Sequence, residues 1–102
     1  MISNNMDVEI DEKIKIKVTE PDMYKVIFLN DNATPMDFVI EILTSVFRHS
    51  PETARDITMD IHESGSSVVG IYTYEIAEQK AVEATTLSRS HGFPLQIKVE
   101  KE

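Results

Sequence analysis

The sequence predicts an α+β fold. It is a single small domain in the order β-α-α-β-α-β, with three helices packed on a small, mainly antiparallel three-stranded sheet. Three observations predict it. Three short runs alternate or are rich in β-branched and aromatic residues, and each is bounded by turn residues. Three longer segments carry apolar residues at helical spacing. Two of those segments open on one signature, a hydroxyl residue followed by proline and an acid.

With 102 residues there is room for one core only. Hydrophobic residues are 41% and charged residues 27% of the chain, as in ordinary globular domains. Residues 1–22 differ from the rest. Six acids (Asp7, Glu9, Asp11, Glu12, Glu20, Asp22) stand against Lys13, Lys15 and Lys17, and the segment closes on Glu20-Pro21-Asp22. This composition predicts a flexible N-terminal extension over 1–22 and a core domain over 23–102. The alternative is a short extra strand, because Ile14-Lys15-Ile16-Lys17-Val18 alternates with period two.

The elements follow in order. Tyr24-Lys25-Val26-Ile27-Phe28-Leu29 reads as a buried strand ended by Asn30-Asp31-Asn32. Thr34 has N-cap chemistry, Pro35 suits the first helical position and Asp37 lies three after the cap. Met36, Val39, Leu43 and Val46, widened by Ile40, Ile42 and Phe47, then form an amphipathic helix expected to end near His49. Ser50-Pro51-Glu52 opens a second helix with Ala54, Ile57 and Ile61 inside, and Ser64-Gly65 stops it. Ser67 to Tyr72 is the second strand. Thr73 caps a third helix with Ile76, Ala77, Lys80, Ala81, Ala84 and Leu87 on one side, closed by His91-Gly92. Leu95, Ile97 and Val99 alternate with Gln96, Lys98 and Glu100, which marks a strand with one wet face.

Charge and composition exclude several function classes. The net charge of −8 and a pI near 4.8 repel phosphate backbones, so no nucleic-acid partner is expected. No cysteine is present, so thiolate chemistry and disulfides are absent. No apolar run reaches the roughly 18 residues of a membrane span, and residues 1–10 lack the pattern of a secretory signal, so a cytoplasmic protein is expected. There is no nucleophile elbow and no glycine-rich phosphate loop. His62-Glu63 starts like a zincin motif, but Ser66 stands where its second histidine belongs. Asn30 to Thr34 has the Asx spacing of a calcium loop without its glycine or closing glutamate. No metal, no cofactor and no enzymatic activity are therefore expected.

A binding constellation fits better. Asn30, Asp31 and His62 offer acceptors, and Met36, Val39, Thr58 and Ile61 offer apolar or small groups on the facing sides of two helices. Plain core packing and turn chemistry account for each residue singly. Together they match a pocket with a polar mouth.

The run Met23-Tyr24-Lys25-Val26-Ile27-Phe28-Leu29-Asn30-Asp31-Asn32-Ala33-Thr34-Pro35-Met36-Asp37-Phe38-Val39 resembles the signature of the ClpS family, adaptors of the bacterial Clp protease. The resemblance continues at His62-Glu63-Ser64-Gly65, along Gly70 to Lys80, and at Pro94-Leu95. It implies a protein that binds N-degron substrates exposing Leu, Phe, Tyr or Trp as a free N-terminal residue. It implies delivery of these to the ClpA unfoldase of the ClpAP protease. By motif match, Asn30, Asp31 and His62 bind the α-amino group; Thr34, Met36, Val39, Ile61 and Leu95 line the side-chain pocket. Glu75 and Lys80 match positions that dock on the N-terminal domain of ClpA, and the leader engages the unfoldase pore. No membrane partner and a monomeric state are expected. Three positions depart from the family pattern. Asn32 removes an acid, Ala33 replaces a commonly larger residue, and Thr58 stands where a methionine is usual, which predicts an altered pocket. A neutral imidazole accepts from an ammonium, whereas a protonated one repels it, so acid is expected to weaken binding.

The rival classes are a helix-face interaction module, similar in architecture to the C-terminal domain of the ribosomal stalk protein, and a metal-dependent or acid–base enzyme. The first would need an exposed helix surface rather than a pocket.

Overall fold

The first strand of the domain takes the centre of the sheet. In the computed structural model, which describes residues 20–102, β1 (Met23–Leu29) lies between β2 (Ser66–Thr73) and β3 (Gln96–Lys101). Both neighbours pair with it antiparallel, so the sheet is wholly antiparallel, in the order β2-β1-β3. The helices are α1 (Met36–Ser45), α2 (Pro51–Ser64) and α3 (Tyr74–Ser90). The predicted element order stands. The expected extension and its alternative, the Ile14 to Val18 strand, lie outside the described residues apart from Glu20, Pro21 and Asp22.

β1 supplies the middle of the core. Val26 and Phe28 are fully buried and join one core with Phe38, Val39, Ile42, Leu43, Ala54, Ile61 and Leu95. Phe28 meets Phe47 edge-on with ring centroids 5.4 Å apart, which adds a directional contact to the burial of two large rings. β2 carries a bulge: Val26 pairs with Gly70 and Ile27 with Val68, leaving Val69 between them. The extra residue turns inward. Val69 is 2% exposed, and its carbonyl accepts from His49 Nε2 at 2.6 Å. Alternation alone gave no sign of this kink.

Local chemistry sets the ends of two helices as expected. Ser50 Oγ accepts from Thr53 N–H at 3.1 Å, with Pro51 in the first turn of α2. Gly65 ends α2 with φ 91°, a conformation an L side chain resists. Gly92 N–H bonds Arg89 O and Phe93 N–H bonds Ser88 O, a Schellman closure of α3 with Gly92 at φ 79°.

Four expectations need correction. α1 stops at Ser45 rather than near His49, because Arg48 adopts φ 62° and His49 N–H reaches back to Leu43 O. Thr34 does not cap α1: the cap position is Pro35, with no side-chain bond, since the Thr34 hydroxyl donates instead to a carboxylate. Ile76, expected on one side of α3 together with Ala77, Ala81 and Ala84, is 45% exposed. The buried stripe of α3 is Ala77, Ala81, Ala84 and Ser88, and Ile76 lies one step, about 100°, off it. Leu95 lies just before β3 rather than within it, but is buried as expected.

Candidate functional site

The site begins with strand register. Leu29 pairs with Ser66, so the chain leaving β1 runs past the residue that ends α2. Asn30 N–H donates to Gly65 O at 2.9 Å, and Gly65 N–H donates to Ile61 O at 2.9 Å. These bonds tie the Asn-Asp turn to the last turn of α2, where His62 lies. The turn in turn leads into α1. The negative end of the α2 dipole and the turn's acceptors thus meet in one place, an arrangement that favours a cation.

Asp31 organises the turn. Its Oδ1 accepts from Ala33 N–H at 2.8 Å and from Thr34 N–H at 2.7 Å. Its Oδ2 accepts from Thr34 Oγ1 at 2.8 Å. Burial pushes the carboxyl up, but the Thr34 N–H and hydroxyl, the Ala33 N–H and the charge of Arg89 outweigh it and hold the group below the usual carboxylate range. Asp31 is therefore an anion at neutral pH. Three bonds leave one of its roughly four lone-pair sites for a further donor. Asn30 and His62 are exposed.

The apolar group divides in two. Val39, Ile61 and Leu95 are 6%, 4% and 1% exposed and belong to the core cluster. Met36 is 39% exposed, and Thr34 is half-buried. Thr58 is buried, and its hydroxyl donates to Ala54 O at 2.7 Å, one turn earlier in α2. The polar atom of Thr58 is thus satisfied within its own helix.

A separate depression of about 270 Å³ lies between α3 and β3, lined by Glu78, Ala81, Val82, Thr85, Ile97 and Val99 among others. It shares no residue with the predicted set. Its chemistry is apolar with hydroxyls and one carboxylate, whereas the turn carries amide and carboxylate groups. We therefore place the candidate site at the turn.

The two residues predicted to dock on a partner sit in different surroundings. Glu75 is exposed in the first turn of α3. Lys80 is half-buried: its Nζ donates to Val46 O at 2.9 Å and lies 5.5 Å from the Tyr72 ring and 5.8 Å from the Phe47 ring. Its ammonium thus closes the end of α1. Sequence reading missed Arg89, whose charge acts on Asp31 across a separation of 58 positions. No local pattern marks such a through-space effect. Among the described residues, no group of three or more His, Cys, Asp or Glu could hold a metal ion, and no helix is long and apolar enough to cross a membrane.

Fold and site define the class: a small two-layer α+β domain whose polar turn is pinned to a helix end above a tightly packed apolar cluster. Residues 19–98 match the family model of the ATP-dependent Clp protease adaptor protein ClpS. Two curated relatives carry the name ATP-dependent Clp protease adapter protein ClpS. One, from Treponema denticola, is 47% identical over 88 residues, covering 86% of this chain and 87% of the relative. The other, from Campylobacter jejuni, is 50% identical over 86 residues, covering 84% and 90%. The solved structure of Agrobacterium tumefaciens ClpS2 bound to L-phenylalaninamide superposes with a TM-score of 0.79 at 47% identity, covering 81% of this chain and all of that one. The chain belongs to the ClpS family of Clp protease adaptors.

Proposed function

We propose that this adaptor binds N-degron substrates through a free, bulky hydrophobic N-terminal residue and hands them to the ClpA unfoldase of ClpAP. In this reading, Asn30, Asp31 and His62 hold the α-ammonium. Thr34, Met36, Val39, Thr58, Ile61 and Leu95 surround the first side chain. The observation that carries the reading is the Asn30 N–H to Gly65 O bond of 2.9 Å, which joins the acceptor turn to the helix end bearing His62. The chemistry agrees. An α-ammonium has three donors and mostly keeps its charge at neutral pH, with a pKa of about 7.7–8.0. The anionic Asp31 and the α2 carboxyl end favour that charge. The phenylalaninamide bound by the Agrobacterium relative is itself a free α-amine next to a large apolar side chain. Burying such a side chain contributes roughly 1.5–3 kcal/mol before binding costs.

Docking on the N-terminal domain of ClpA is assigned to the start of α3. Glu75 is exposed there, flanked by Tyr74 and Ile76 at 51% and 45% exposure. An acid between exposed apolar groups suits a protein interface. Residues 1–22 serve as the extension that engages the unfoldase pore, and the adaptor acts as a cytoplasmic monomer.

A peptide panel varying only the first residue tests the binding step by fluorescence anisotropy. Leu-, Phe-, Tyr- and Trp-led peptides are expected to bind, and N-terminal acetylation of each to abolish binding. Equal affinity for free and acetylated peptides would remove the ammonium site.

A further inference from the structure

The connection from α3 to β3 contains a backbone problem and a side chain that solves it. Pro94 has no N–H, and the ladder with β1 starts only at Gln96, paired with Leu29. The carbonyls of Phe93 and Leu95 therefore lie outside the ladder. One nitrogen of Arg89 answers both: Nη1 donates to Phe93 O at 3.0 Å and to Leu95 O at 2.9 Å. Leu95 is 1% exposed and shares the core cluster with Val39 and Ile61.

We propose that Arg89 is a positioning residue of the apolar wall: by holding the carbonyls of Phe93 and Leu95 it fixes Leu95 against Val39 and Ile61, and so sets how sharply the pocket discriminates between first side chains. The inference rests on the reading above that Leu95 lines that pocket. A second link supports it. The Arg89 charge also helps to keep Asp31 ionised, and Asp31 shapes the turn bearing Thr34. One guanidinium thus acts on the apolar wall and on the acceptor turn. Arginine suits this because its rigid planar fork directs several donors while the charge stays fixed. The competing account is a surface arginine that only closes the carboxyl end of α3. That role would affect folding alone.

The experiment uses the full chain and two peptides differing only in the first residue, Leu or Ala, with affinities measured by competition anisotropy and folding followed by circular dichroism. Wild type is expected to favour the Leu-led peptide. Arg89→Met is expected to narrow the Leu-to-Ala affinity ratio about tenfold, the scale of one hydrogen bond from a charged donor. Arg89→Lys keeps the charge and can reach one carbonyl, so the ratio is expected to narrow only about threefold. A folding effect lowers the population of competent protein, weakens both peptides by one factor and leaves the ratio intact. An unchanged ratio in both variants overturns the proposal. Should Arg89→Met fail to fold, the ratio in Arg89→Lys decides by the same criterion. A wild type that does not bind the Leu-led peptide defeats the site itself and this proposal with it. A wild type that discriminates, beside variants that discriminate equally, defeats only the role of Arg89.

Discussion

Replacing Thr34 with valine removes one oxygen from the turn and little of its shape. The hydroxyl donates to Asp31 Oδ2 at 2.8 Å, a bond to an ionised acceptor in a half-buried place. Bonds to charged groups contribute about 1.5–3 kcal/mol net, and partial exposure puts this one at the lower end, about 1.5 kcal/mol. For a domain of this size the Thr34→Val melting temperature should fall by roughly 6–12 °C at pH 7. The sign of the pH effect follows from the Asp31 carboxyl, which is held below its ordinary value of 3.8. Its ionised form is favoured by folding, so its stabilisation is fully present above pH 3.8 and is lost as pH falls through the lower, folded value. Once Asp31 is protonated the Thr34 hydroxyl faces a neutral partner, and the gap between wild type and variant should shrink by about half. Thermal unfolding by circular dichroism at pH 7 and at successive steps down through the acid range below pH 3.8 measures both quantities. Equal melting temperatures at pH 7, or a gap that stays constant all the way down the acid series, would refute the assignment of the turn's strength to this bond.

Three further outcomes are expected. Thr58→Met should lower affinity for an Ile-led peptide relative to Leu- and Phe-led ones, because the satisfied Thr58 hydroxyl leaves a small wall that methionine would fill; identical rankings by anisotropy in both proteins would defeat this. Gly70→Ala should destabilise the fold by about 1–3 kcal/mol in urea unfolding, since an added Cβ would lie 2.6 Å from the Tyr72 Cζ and Cε2 atoms, and that ring carries the Lys80 contact. Glu75→Gln should weaken binding to the ClpA N-terminal domain without moving the melting temperature, whereas Lys80→Met should lower the melting temperature itself through loss of the Val46 carbonyl bond; calorimetry beside thermal melts separates the two.

Much of this protein is written in short-range chemistry. Ser50-Pro51, Gly65 and Gly92 acted at the helix ends as their residue types require, because a cap is decided within four or five positions. Alternation and helical spacing gave six elements of the right type for the same reason. Where two partners competed, local reading chose wrongly. Thr34 had a free helix end and a carboxylate within reach, and the charged acceptor won. Ile76 looked internal on a helical projection, but three alanines let α3 approach the sheet along a stripe that excludes it.

From the order of its residues alone, the chain defines its elements, its lack of thiol and the acceptor-rich turn, since all of these depend on residue type and on neighbours along the backbone. The fold alone decides that Asn30 lies against Gly65, that Val69 bulges inward to meet His49, and that Arg89 holds Leu95 while its charge acts on Asp31. Those meetings depend on strand register and on how the helices pack over it. Such relations are fixed by the summed burial of the whole core, not by any one stretch of sequence.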